Sequence, residues 1–111
     1  LEPDKVEEVI GHGEVRQAFR IKRVGTIAGV QMLDGFVEKG SKVKVFRNNI
    51  EIFRGGLDSL KHFQDDVQRI EAPQECGIRF AGFDDVNEND ELEFFQIKEV
   101  KRKLEFIQQD K

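Results

Sequence analysis

Asn48 and Asn49 stand between two alternating runs, Val43–Arg47 and Ile50–Phe53. A two-residue connection of this kind needs positive φ at both central positions, which asparagine tolerates, and the strands it joins must run antiparallel. The same period of two recurs along the chain. Val15, Gln17, Phe19 and Ile21 alternate with Glu14, Arg16, Ala18 and Arg20; Cys76, Ile78 and Phe80 alternate with Gly77 and Arg79; Leu92, Phe94 and Gln96 alternate with Glu93, Phe95 and Ile97. Successive strand side chains point to opposite faces. Arg16, Arg20 and Lys22 therefore share a face, read as a polar outer one, opposite Val15, Gln17, Phe19 and Ile21.

Glycine, proline and clustered acids punctuate these runs. Lys22–Gly25 is a turn, with Thr26–Leu33 the strand after it. Within that strand the small Ala28 and Gly29 mark a bulge, a close approach by backbone or ligand, or tight packing. Asp34-Gly35 reads as a turn, Phe36–Ser41 as a loop and Gly55-Gly56 as a break. Beyond it, Leu57 and Leu60 lead into a polar turn at Lys61–Gln64, and Val67–Ile70 resumes the strand. Pro73 cannot donate to a ladder, so the sheet pauses at Glu71–Gln74. Phe83–Asp90 is an acidic loop. Seven or eight short strands with turns roughly every 8–12 residues define an all-β barrel or sandwich, and the absence of strand–helix alternation excludes a parallel α/β fold. From Lys98 the spacing changes, and Val100, Leu104 and Ile107 recur as on a helix. The expected organisation is a linker remnant at 1–8, one domain at 9–100, and a tail or short helix at 101–111.

Composition narrows the chemistry. The chain has 111 residues, a single cysteine and a net charge of −4. One cysteine allows neither an internal disulfide nor a Cys-based zinc site, which fits a reducing, cytoplasmic setting. An acidic chain is not built to grip many phosphates, although a small contact with one RNA end remains open. No apolar run approaches about 18 residues, so no membrane partner is expected. The start, LEPDKVEEVIG, lacks a signal pattern and reads as a cut at an acidic linker inside a longer chain. The ten phenylalanines, without tyrosine or tryptophan, are expected mainly to fill a core.

Catalytic constellations are sparse. Ser41 and Ser59 lie in no nucleophile elbow, His12 and His62 have no companion at ligand spacing, and no phosphate-binding glycine loop occurs. Asp65–Asp66 and Asp84–Asp85 read as caps and solvation, and Cys76 as a small buried hydrophobe. The stretch Gly55–Asp66, GGLDSLKHFQDD, stands out. It sets Lys61, His62, Phe63 and Gln64 at a strand end, where an aromatic beside basic groups suits an exposed base. Taken alone, such a short motif reads first as a solvated hairpin.

Taken together, GEVRQAFRIKRVGTIAGV, GSKVKVFRNN, LDSLKHFQDDV, ECGI and ENDELEFF resemble the C-terminal domain of bacterial translation initiation factor two, across roughly Val9 to Val100. The resemblance implies a closed antiparallel β-barrel similar to the second domain of elongation factor Tu. It implies RNA binding, with the formylmethionyl-bearing acceptor end of initiator tRNA as ligand, and shielding of its ester rather than an enzymatic reaction. It implies no cofactor and no metal, a monomer, and contact with the ribosome through a parent factor whose GTP-binding domain lies upstream. The family's basic-aromatic turn falls at Lys61, His62, Phe63 and Gln64. Its ECG block is intact as Glu75, Cys76 and Gly77, and the cysteine after its Gly29 equivalent is Val30 here. His62 replaces an arginine and Gln64 a lysine, so the site is less basic than the family's. An apolar slot floored by small residues and Cys76 is expected. The alternatives are a protein-interaction or spacer barrel of a multidomain translation factor, and a flavin-reductase-type barrel.

Overall fold

The computed structural model describes residues 4–100. Among them there are only strands and turns, ordered β1 (Asp4–Ile21), β2 (Gly25–Glu38), β3 (Lys42–Arg47), β4 (Ile50–His62), β5 (Asp65–Asp66), β6 (Arg69–Glu71), β7 (Glu75–Phe80) and β8 (Glu91–Val100). All pairings are antiparallel. The hydrogen-bonded path runs β1-β8-β3-β4-β7-β2 and returns to β1 through a β1–β2 pairing, making a ring; β6 extends β2, and β5 pairs with the end of β4.

The β3–β4 hairpin follows the asparagine signal, with φ of 55° at Asn48 and 66° at Asn49 and Arg47 opposite Ile50. The core lies inside the ring. Val15, Ala28, Val30, Met32, Val43 and Val45 meet Leu60, Ile78, Phe80, Leu92 and Phe94 there, each no more than 2% exposed. Burying one such aliphatic or phenyl side chain stabilises the fold by about 1.5–3 kcal/mol, so this cluster is the main driving force. One loop is tied to the ring by charge. Asp90, 2% exposed, accepts hydrogen bonds from Arg47 Nε and Nη2 at 2.9 Å each and from the Asn87 amide at 2.8 Å. A bidentate guanidinium satisfies a carboxylate that would otherwise be costly to bury.

Several expectations are corrected. Gly55-Gly56 does not break β4, because the Phe53 ring folds back over Gly55 and supplies the packing the glycine lacks; Phe53 in turn stacks on Phe83 at 4.6 Å. Asp34-Gly35 is no turn. It lies inside β2, where Leu33 bulges between the Met32 and Asp34 pairings, and the strand continues through Phe36–Glu38 to pair with β6. Val67–Ile70 does not resume β4; the chain crosses to β2 instead. Asp4–Glu8 belongs to β1, laddered against β8 from Val100 to Gln96, and not to a linker. The strand also persists through Lys98–Val100; the expected tail or short helix at 101–111 lies outside the described residues.

The correction that matters most concerns β1. Val15 pairs with Val30 and Gln17 with Gly29, so Arg16 is an extra residue, a β-bulge. Beside it the main chain of Val15 bonds to the acidic loop, its amide donating to the Asp90 carbonyl at 2.9 Å and its carbonyl accepting from the Asn89 amide at 2.8 Å. A bulge inverts the phase of all that follows. Gln17, Phe19 and Ile21 consequently face outward, with Phe19 48% exposed, and Ala18 turns toward the core opposite Ala28.

Candidate functional site

The inverted phase builds one outer face from residues far apart in sequence. Straight across the sheet, Gln17 on β1 pairs with Gly29 on β2, Gly29 with Gly77 on β7, and Gly77 with Lys61 on β4. The next row is Phe19, Ile27, Arg79 and Ser59. Two adjacent glycines in the first row leave a trough with no side chains on its floor. Phe19 and Ile27 wall one side, and Arg16, Phe63 and Glu75 stand around the rest of a groove of about 580 Å³.

Among the described residues, none crowds either glycine closely enough to exclude a side chain. A Cβ placed on Gly29 would find no atom closer than 3.7 Å, and one on Gly77 would meet only Ile27 Cγ2 at 3.7 Å. Both distances are ordinary contact, and neither residue has a positive φ. Glycine in a strand interior costs conformational entropy and marks a close approach from outside.

Of the residues picked from sequence, Gly29, Val30, Phe63, Glu75, Cys76 and Gly77 line this groove together. Val30 and Cys76 face each other across the ladder on the inward register, 1% and 5% exposed, so strand alternation turns their main chain toward the groove and their side chains into the core. Burial pushes the Cys76 thiol up to about 12, which leaves it neutral and unreactive. Lys61 shares the glycine row on the outer register but does not line the groove. His62 and Gln64 do not line it either; Gln64 is exposed.

The β4–β5 turn carries Phe63, which is 83% exposed at a φ of 59°. Such a backbone is uncommon for a bulky residue and holds the ring out over solvent. His62 packs against that ring at 4.5 Å between centroids and donates from Nδ1 to the Glu75 carbonyl at 3.1 Å. It thus ties the turn to β7 at the groove's edge.

Arg16, Gln17, Phe19 and Ile27 were not picked as site residues from sequence. Arg16 and Phe19 were read onto opposite faces of the strand, and the phase slip that brings them here has no local signal. The phenylalanines were expected to fill the core. Phe80 and Phe94 do, and Phe95 is buried on the opposite face of β8 beneath Lys44 and Arg54, whereas Phe19 and Phe63, the two most exposed among the described residues, both border the groove. Among the described residues, no group of three or more His, Cys, Asp or Glu could hold a metal ion, and no helix is long and apolar enough to cross a membrane.

Fold and site define an all-β domain with a glycine-floored groove on one outer face. Comparison with known proteins carries this further. Translation initiation factor IF-2 of a Thermotoga species is 57% identical over 109 residues, which are 98% of this chain. The IF-2 proteins of Kosmotoga olearia and Fervidobacterium nodosum are 57% and 53% identical, over 96% and 100% of the chain. No family model matches. The chain belongs to the translation initiation factor IF-2 family, and it spans only about 15–16% of the length of these relatives.

Proposed function

We propose that the groove receives the acceptor end of formylmethionyl initiator tRNA, and that the ring is a closed β-barrel of the elongation factor Tu domain 2 type. The observation that carries this is the open Gly29–Gly77 pair. It offers a floor of bare main chain that a flat or slender ligand can approach closely. The apolar wall of Phe19 and Ile27 suits a thioether side chain, and Phe63 is placed to stack on the terminal base. Arg16 and Lys61 supply cations at opposite ends of the row for phosphate. The work is binding and shielding. A covered ester hydrolyses slowly because water is excluded, and no bond need be made or broken by the protein.

Formylation matters on this reading because the formylated amine is uncharged. A free ammonium held against the apolar wall of Phe19 and Ile27, away from the Glu75 carboxylate at the rim, loses hydration at a cost of several kcal/mol, on the order of an isolated buried charge after relaxation. The chain acts as a monomeric, cytoplasmic module, without cofactor, within a longer factor that brings the tRNA to the small ribosomal subunit. The test is hydrolysis protection. The domain should slow deacylation of formylmethionyl-tRNA and do much less for methionyl-tRNA, and equal protection of both would remove the claim of specificity.

A further inference from the structure

Along β1 the outward row continues to Ile21, 44% exposed, and reaches a second hollow of about 340 Å³ at the β1–β2 turn, with Gly25, Thr26, Ile21 and Lys22 on its walls. Gly25 lies four residues from Gly29 on the same strand, a distance of about 13 Å at roughly 3.3 Å per residue. The Val24 amide donates to the Ile21 carbonyl at 3.1 Å, so Lys22 and Arg23 are the two central residues of the turn. Both are exposed, and neither forms an ion pair among the described residues. This contrasts with the other cations nearby. Arg16 lies 3.6 Å from Glu14, Arg79 lies 3.9 Å from Asp58, and Arg20 donates to the Val86 carbonyl at 3.2 Å.

We propose that this turn and the apolar row behind it hold the single-stranded nucleotides that precede the acceptor end, so that the RNA runs from the Gly29–Gly77 trough past Phe19 and Ile21 to Lys22 and Arg23. The proposal rests on the acceptor end occupying the groove. Single-stranded nucleic acid is held by aromatic or apolar surface under the bases and cations along the backbone, and this face has both in that order. Phe19 is the half-exposed ring between the two hollows. Asp84 fixes which edge the phosphates take. Its carboxylate covers Gly25 and accepts from the Thr26 amide at 3.2 Å, which repels phosphate from the β2 side of the hollow and leaves the Lys22–Arg23 edge. The path needs few phosphate contacts, which agrees with a net charge of −4.

The experiment uses the 111-residue chain, a Lys22→Gln/Arg23→Gln double variant and a Gly77→Ala variant, with two probes: intact formylmethionyl initiator tRNA, and formylmethionyl-adenosine, which has no preceding phosphates. For the double variant, the salt dependence of tRNA affinity should become shallower by about 1.4 in log–log slope, about 0.7 for each contact removed on a single strand. Its affinity for formylmethionyl-adenosine should stay within about twofold of the parent's, since K changes only with contacts the probe makes. An unchanged tRNA slope in the double variant, with Gly77→Ala still losing both probes, overturns the path and leaves the groove standing; the turn would then face a protein or solvent. If Gly77→Ala binds both probes like the parent, the groove reading fails and the path fails with it.

Discussion

Two pairs of glycines face each other in this domain, and they do opposite things. Gly11 on β1 meets Gly35 on β2, where the strands cross so closely that a Cβ on Gly11 would lie 2.5 Å from the Phe36 carbonyl oxygen and one on Gly35 would collide with the Ile10 carbonyl. Gly35 also has a φ of 64°. Gly29 and Gly77 meet in ordinary strand geometry with open space above them. The first pair is filled by the protein's own backbone and is a requirement of the fold. The second is filled by nothing among the described residues, and the proposed ligand accounts for its cost in backbone entropy. A glycine therefore says little until its neighbours are known: the same residue is demanded by a close backbone crossing at one place and leaves open space at the other.

The comparison can be broken most severely at Gly35. Gly35→Ala adds both a collision and a disfavoured backbone, and should destabilise the fold by on the order of 4 kcal/mol or more, read as loss of cooperative thermal unfolding. A well-folded Gly35→Ala would erase the distinction between the pairs. Cys76 comes next, because it lies directly beneath the open pair with its thiol in the core. Cys76→Ser buries a hydroxyl among apolar neighbours and should cost about 1–3 kcal/mol of stability in denaturant titration, while the folded variant keeps its ligand. A thiol held up to about 12 against an ordinary 9.0 keeps its proton when folded and releases it when unfolded. Stability should accordingly fall as pH rises through about 9 toward about 12, a component absent from Cys76→Ser.

Gly77→Ala sharpens the contrast from the other side. The added methyl meets only ordinary contacts, so stability should hold or rise by about 0.4–1 kcal/mol through the unfolded chain. Affinity for formylmethionyl-adenosine should drop at least tenfold, about 1.4 kcal/mol, because the methyl occupies the floor. Normal binding by this variant would show that the vacancy is not used. The smallest effect is expected at the rim. His62→Gln removes one exposed hydrogen bond to Glu75, worth about 0.5 kcal/mol, and should shift initiator-tRNA affinity by no more than about twofold. A larger loss would move the His62 side chain into the site itself.

Much of this was legible in the chain. Period-two alternation, the Asn48-Asn49 turn and the lack of helical spacing before Lys98 set an antiparallel all-β fold, because these are local steric preferences written at each residue. The ECG block and its glycine pointed at β7, and the resemblance pointed at the family. The basic-aromatic turn supplied only part of what it promised: Phe63 borders the groove, Lys61 lies on its row, and His62 and Gln64 stand off it. What tertiary structure alone decided was phase and adjacency. Whether Phe19 points into the core or out over Gly29 depends on one extra residue at Arg16, and that bulge is accompanied by main-chain bonds from Val15 to Asn89 and Asp90, over seventy residues away along the chain. Strand periodicity is a local property and register is a pairing property, so a sequence read residue by residue carries the first and leaves the second to be set when the ring closes.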